Sequence, residues 1–529
     1  MGADVHASSS TAHANAGERA ADVELESQQE QAQVTTSTAA VAAAEEAGAT
    51  TAADVFTATG QTKLSTNGLF FNVVLSIIGT TVLGIAAQMK RAGWIFAPLL
   101  LILGCAIAAE MTRLVSSAID FLQVRDGKQL RTFQEFAESA LGPLGGHVAM
   151  VASTLSLLGM ICNGLVIESQ NLQIIAPLTG SFVNAYGDGS HFWAIVLTST
   201  TFFYAFVDMG SLLKKSAALG PFVCGLCVLL AWIGTASAAA ELQSIPSSCL
   251  ESESDPNWTL LSEGKQPVPA LLDLASVACY SFYVFAVVVT VPSLKDQMAE
   301  PKKLTHAATS AYSLSTVLYF SIMVIGYWGF GNLMPASDNL IDGMRQDRPA
   351  GWWAMTRPWE TGSATFFGKV FAWMIIVNLL LTDAIYVPCT VVAFETALSG
   401  FFRPGYRMRG ALLRTSISLF RLLVATYVTS FVALTNLTSA LFCVLINIIL
   451  PIAAFYRLRV QQTSLTVRVL HMLIFLFGWM VMLVGSWKAI SDILFTEPFP
   501  EKGVFPRAGI TSACKEAYRN VTRTTIIEM

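Results

Sequence analysis

Ile77-Ile78-Gly79-Thr80-Thr81-Val82-Leu83-Gly84-Ile85 lies inside the first long hydrophobic stretch of the chain. A segment built only to cross a bilayer has no use for glycine and threonine at its centre. Those residues let a helix come apart, and loosened backbone exposes N–H groups able to hold an anionic ligand. Irregular backbone at membrane depth survives only where protein or a water-filled cavity replaces lipid. Helices broken near the midplane are the usual build of secondary-transporter binding sites. The stretch therefore predicts an all-α membrane protein whose first membrane segment unwinds around a small ligand.

Composition outside this stretch agrees. Of 529 residues, 53% are hydrophobic and 13% charged, against about 25% charged in a soluble domain. The apolar residues come in blocks of about 20, enough to span about 30 Å of hydrocarbon as a helix. The net charge of −4 forms no nucleic-acid footprint, so that partner class is excluded. Residues 1–64 are rich in Ala, Ser, Thr, Gln and Glu, with Phe56 their single aromatic. Such a segment buries too little apolar surface to offset its ordering entropy and is expected to be disordered. It serves either as a regulatory or trafficking handle or as filler. It carries no signal-peptide hydrophobic region, and its start lacks the Ser or Thr of a myristoylation motif. Most of the nine cysteines lie in apolar segments and read as small hydrophobes. Cys224 and Cys227 have metal-like spacing without a partner pair or His cluster, so no metal site is expected. Cys249 and Cys514 lie in loops and are candidates to pair outside the cell.

Eleven membrane segments are expected, at about 68–90, 93–121, 146–174, 192–208, 216–239, 268–291, 306–330, 366–393, 412–432, 436–456 and 467–490. Alternate loops are basic: Arg125, Lys128 and Arg131, then Lys214 and Lys215, Lys295, Lys302 and Lys303, Arg403, Arg407 and Arg409, and Arg457 and Arg459. The positive-inside rule places these loops and the N-terminus in the cytoplasm and the C-terminus outside. The sequons at Asn257, Asn436 and Asn520 all fall on the outer side, although Asn436 sits too close to the bilayer to be a good acceptor. Lys90-Arg91, in the first outer hairpin, is the contrary detail. The layout gives a cytoplasmic tail (1–64), a transmembrane domain (65–490) and an extracytoplasmic tail (491–529).

Eleven segments suit a five-plus-five inverted repeat with one extra helix, in which the first and sixth segments are both interrupted at the substrate. The sixth carries Tyr280, Ser281 and Tyr283, then the β-branched run Val287-Val288-Val289-Thr290, which forms helix less readily than leucine. No glycine marks a break there.

Several of these stretches resemble the amino acid/auxin permease family. The first-segment signature is carried by Phe71-Asn72, Ile78-Gly79-Thr80-Thr81-Val82-Leu83-Gly84 and Ala92-Gly93-Trp94. The likeness continues at Thr132–Gly145, at Pro292–Met298 with Pro301-Lys302-Lys303, and at Gly326–Asn332, in the family's order over about 65–456. The resemblance implies a LeuT-like fold, coupled transport of amino acids, and an α-carboxylate and α-amino group held at the breaks in segments one and six. Two departures narrow it. Phe285-Ala286-Val287-Val288 is apolar where the family carries small or polar residues, which suits apolar or aromatic substrates. Leu75 stands where sodium-coupled members carry Asn, and leucine cannot ligate sodium, so proton coupling or facilitated transport is expected, with a proton rather than sodium as the coupling ion.

The candidate substrate-binding residues are Ser76, Gly79, Thr80, Thr81, Gly84, Tyr280, Ser281, Tyr283, Ala286 and Tyr386. Amides at a half-helix N-terminus bind a carboxylate without a basic side chain; the competing reading is small-residue packing between helices. Thr382 and Asp383 are the ion-coupling candidates, because a carboxylate at the bilayer centre is costly and faces the bundle interior. An ion pair between Asp383 and Arg421 is the structural alternative. Glu168 and Asn171 are candidate gating residues near the outer end of the third segment. Glu110 and Arg113, one turn apart, read as a local pair, and Asn447 as helix glue or a substrate contact. No paired-His motif, phosphate-binding loop or nucleophile elbow points to an enzyme, and no cofactor is expected.

The reading is a multi-pass secondary transporter of neutral amino acids, including aromatic ones, in a plasma, vacuolar or endolysosomal membrane. An amino-acid sensor signalling through its N-terminal tail is the alternative, and an ion channel has no charged ring or filter-like repeat to support it.

Overall fold

The computed structural model describes residues 65–79, 81–127, 129–176, 178, 189–202, 222–223, 225–236, 271–330, 340, 366–398, 407–428, 430–458 and 464–495. Thr80, the tail up to residue 64, Cys249, Cys514, Asn257 and Asn520 lie outside these residues. The described part is helical, and helix is found inside each of the eleven expected intervals. Six helical runs are long and apolar enough to cross a bilayer among the described residues.

The first segment is split. Helix α1 (Thr66–Ile77) starts at Ser65, whose side chain accepts from the Gly68 amide, and stops at Ile78, which is extended (φ −79°, ψ 94°). Helix α2 (Thr81–Asp126) restarts at once and turns sharply at Gly93, whose φ of 74° an L side chain rarely adopts. Gly93 is therefore the hairpin between segments one and two. The amphipathic α3 (Phe133–Leu141) is fixed by a capping box: the Thr132 side chain receives the Glu135 amide while the Glu135 carboxylate reaches back to the Thr132 N–H. Gly142 (φ 87°) with Pro143 then swings the chain into α4 (Pro143–Ile175).

Beyond it come α5 (Gly189–Thr201) and α6 (Gly225–Ala236). The sixth segment is also split, into α7 (Leu271–Val284) and α8 (Val291–Gln297), with turns and one 3₁₀ turn between them. Pro292 sits in the first turn of α8. Its missing N–H cannot bond Val288, and its ring crowds that carbonyl, so a continuous helix is disfavoured there. The chain then forms α9 (Leu304–Phe330), α10 (Phe366–Ala397) and α11 (Arg407–Tyr427). The tenth segment is α12 (Phe431–Thr438), two π-helical stretches (Ser439–Cys443 and Leu445–Ile449) and α13 (Leu450–Leu458). The last helix, α14 (Leu465–Phe495), passes the expected end of the membrane domain at 490 by five residues.

The outer surfaces are apolar. Leu470, Leu473, Leu476, Leu483 and Trp487 of α14 are all exposed, as are Leu419 and Leu423 of α11 and Ile95 and Leu99 of α2. Water would not tolerate such contiguous apolar faces on a monomer, whereas hydrocarbon favours them. The interior instead collects polar groups: Thr81, Gln88, Asn163, Glu168, Asp383, Arg421 and Asn436 are buried. A bundle that is apolar outside and polar inside is an integral membrane protein.

Candidate functional site

The two helix breaks are tied to one another. Tyr280, in the last turns of α7, is fully buried and donates its hydroxyl to the Thr81 carbonyl at 2.8 Å. The same hydroxyl lies 2.6 Å from where a Cβ on Gly84 would stand, with the Phe431 ring 3.1 Å away. Gly84 is thus glycine because two aromatic rings press on its backbone. Across the break, Tyr319 of α9 donates to the Ile77 carbonyl at 2.7 Å and pairs with the Thr81 hydroxyl. Buried polar groups need such partners: Tyr319 supplies one to the Ile77 carbonyl, which the end of α1 leaves without a helical donor, and Tyr280 adds a further bond at the first residue of α2.

The amides at the start of α2 lack a full set of helical acceptors. Ile78 N–H donates to Val74 (2.9 Å) and Val82 N–H to Gly79 (3.2 Å). Thr81 and Leu83, in the first turn of α2, have no carbonyl one turn earlier within their own helix. The positive end of the helix dipole coincides with them. Gly79 is half-buried, and among the described residues beyond its chain neighbours no atom comes within 4 Å of the point a Cβ would occupy, so open space adjoins the break.

The sixth-segment break runs over Phe285–Val287, where Ala286 N–H bonds Tyr283 (3.2 Å) and Val287 N–H bonds Phe285 (2.7 Å). Tyr283 and Ala286 are half-buried, and Phe285 and Val288 are buried. Side chains at this break are therefore apolar apart from the Tyr283 hydroxyl, which lies near Asn163 on α4. Asn163 also donates to Thr435 of α12 at 2.7 Å.

The expected residues divide into groups. Gly79, Thr81, Tyr283 and Ala286 sit at the two breaks. Ser76, one turn before the first break, is exposed and its hydroxyl donates to Asn72 (2.8 Å). Tyr280 and Gly84 form the lock between segments. Ser281 turns away: its hydroxyl donates to Val277 (2.9 Å) and its Cβ packs 3.3 Å from the Gly104 position. Tyr386 packs beside the apolar cluster of Ile161, Val387, Val391 and Ile417. Asn436 is buried and donates to Ser276 (2.7 Å).

Ionisable groups gather at a second centre. Asp383 is buried on α10 and accepts a hydrogen bond from Arg421 Nη2 of α11. Arg421 also donates to the Ile161 carbonyl (2.7 Å) and to the Thr201 hydroxyl (3.1 Å), and its Nη2 lies 3.6 Å from Glu168 Oε2. Glu168, expected near a gate, thus belongs to this charge cluster. Asn171 is fully buried one turn further along α4, and the Thr382 hydroxyl is spent on Asn378 (2.7 Å). Glu110 and Arg113 do pair, at 2.6 Å, and Glu110 also meets His471 at 2.9 Å. Sequence reasoning missed Tyr319, Asn163 and the His471 contact. A lone tyrosine or histidine in an apolar helix carries no local signal of a partner hundreds of residues away.

Two broken helices tied to one another by Tyr280, with open space at Gly79 and a buried charge cluster on neighbouring helices, define a polytopic transporter of LeuT-like build. The chain belongs to the family described as transmembrane amino acid transporter protein, whose model matches residues 62–491. Among curated relatives, it is 22% identical to Amino acid transporter AVT1C of Arabidopsis thaliana over 82% of this chain and 71% of that one. It is also 22% identical to Amino acid transporter AVT1J of the same plant, over 80% and 90%. Solved structures that align with it include a manganese transporter of Eremococcus coleocola (TM-score 0.49, 10% identity, 87% and 92% coverage). MhsT in complex with L-phenylalanine also aligns (TM-score 0.47, 12% identity, 81% and 100%).

Proposed function

We propose that this chain carries neutral amino acids, including those with aromatic side chains, across its membrane by alternating access driven by a proton gradient. One observation carries the reading: the first segment breaks beside open space at Gly79, just ahead of the first turn of α2, while Tyr280 ties it to the broken sixth. The amides and helix dipole suit an α-carboxylate. The apolar lining at Phe285, Ala286 and Val287 offers nothing to a charged side chain and suits a hydrophobic one.

The proton is preferred to sodium on two grounds. Unwound backbone carbonyls are the usual sodium ligands of such sites, and here the Ile77 carbonyl, freed at the end of α1, already accepts from Tyr319. In addition, a buried carboxylate-rich cluster stands nearby at Asp383, which suits proton uptake and release. By the distribution of basic loops, the N-terminus is cytoplasmic.

Uptake by the purified full-length chain in liposomes tests this, with labelled amino acids under an imposed pH or sodium gradient. The expected outcome is saturable accumulation of neutral amino acids on the pH gradient, little altered when choline replaces sodium. A strict sodium requirement, or no saturable uptake of any amino acid, would contradict the proposal.

A further inference from the structure

The buried charge cluster holds more carboxylates than cations. Asp383 and Glu168 share one guanidinium, that of Arg421, and all three side chains are almost wholly buried. Arg421 bonds the Ile161 carbonyl through Nε, Thr201 through Nη1 and Asp383 through Nη2, while its Nη2 stays 3.6 Å from Glu168 Oε2. Among the described residues, neither carboxylate oxygen of Glu168 has a hydrogen-bond partner. With both carboxylates ionised the cluster has an excess negative charge in a bilayer-depth interior, an arrangement costly without water or a further cation. One proton removes the excess.

We infer that Glu168 is the residue that takes up and releases the transported proton, and that the Asp383–Arg421 pair is the fixed frame that holds it. This deepens the proton-coupled reading above and rests on it. A hydronium ion from the acidic side gives its proton to a Glu168 oxygen, forming the carboxylic acid and leaving water. The neutral cluster then tolerates closure of the surrounding helices. Opening to the other side re-admits water, which accepts the proton and restores the carboxylate. Glu168 is favoured over Asp383 because Asp383 is hydrogen-bonded to the guanidinium and Glu168 is not.

The surroundings offer no competing partner among the described residues. Gly164, one turn before Glu168, is glycine where Asp383 approaches to 3.4 Å of a would-be Cβ. On its own helix, Cys162 also faces Arg421 and Asp383. Lys369 and Arg414 lie about four and two turns from Asp383 and Arg421 along α10 and α11. Packed against α4, α5 contributes Thr201 to the cluster and carries His191 in its first turn, and α12 is uncharged. From the first π-helical stretch Cys443 meets Ser156 (3.5 Å), three turns from Glu168. Glu138 of α3 packs at Gly146, at the other end of α4.

The test uses the full chain in liposomes with a labelled neutral amino acid. Accumulation is driven by a pH gradient, and counterflow is measured at symmetric pH. For Glu168→Gln the expected result is loss of gradient-driven accumulation and of proton co-movement, with counterflow still measurable. Gradient-driven accumulation that survives Glu168→Gln overturns the inference. Where Glu168→Gln loses counterflow as well, Glu168→Asp decides: restored acid-driven accumulation supports the assignment, and failure to restore it overturns it. A wild-type chain that ignores the pH gradient but still exchanges amino acids contradicts the proton-coupled reading itself, and the assignment falls with it.

Discussion

Single residues explain why two glycines in the opening stretch do different work. Gly84 gives up its side chain to Tyr280 and Phe431, whereas Gly79 borders open space. An added methyl at Gly84 meets the Tyr280 hydroxyl at 2.6 Å, and overpacking of this kind costs about 1–3 kcal/mol. Gly84→Ala is therefore expected to lower the thermal unfolding temperature of the purified protein, and Gly79→Ala to leave it within the range of a surface change, about ±0.5 kcal/mol. Equal effects at both positions would contradict the packing described. The sequence shows both glycines as loosening elements but cannot tell them apart, because the distinction lies in a ring about 200 residues downstream.

At the scale of elements, the first break was legible and the second was only half so. Gly79 and its threonines announce the end of α1, while the sixth segment breaks without a glycine. Its signal is Pro292, placed just after the β-branched run, which stops a helix from continuing through Val288. The charge cluster was legible in part: Asp383 and Arg421 stand out in apolar helices, but Glu168 reads as a gate until α4, α10 and α11 are packed together. That packing yields a prediction for α10. Replacing Asp383 by Asn leaves Arg421 with Glu168 as its one carboxylate, so the cluster loses its exchangeable proton. Acid stimulation of uptake should vanish in Asp383→Asn while exchange is partly kept, as read by uptake against external pH. An unchanged pH profile would remove Asp383 from coupling.

Across the whole molecule, polar residues are drawn inward around two discontinuous helices, and the apolar outer sides of α14 and α11 face lipid. Everything functional depends on ligand reaching the space beside the first break. A cysteine at Gly79, in a background whose exposed native cysteines are replaced, measures this directly. The thiol is expected to react with a small water-soluble maleimide, and a neutral amino acid in the medium should slow that reaction in a saturable way. A thiol that never reacts, or one whose reaction no amino acid slows, would show that the break is not where substrate binds.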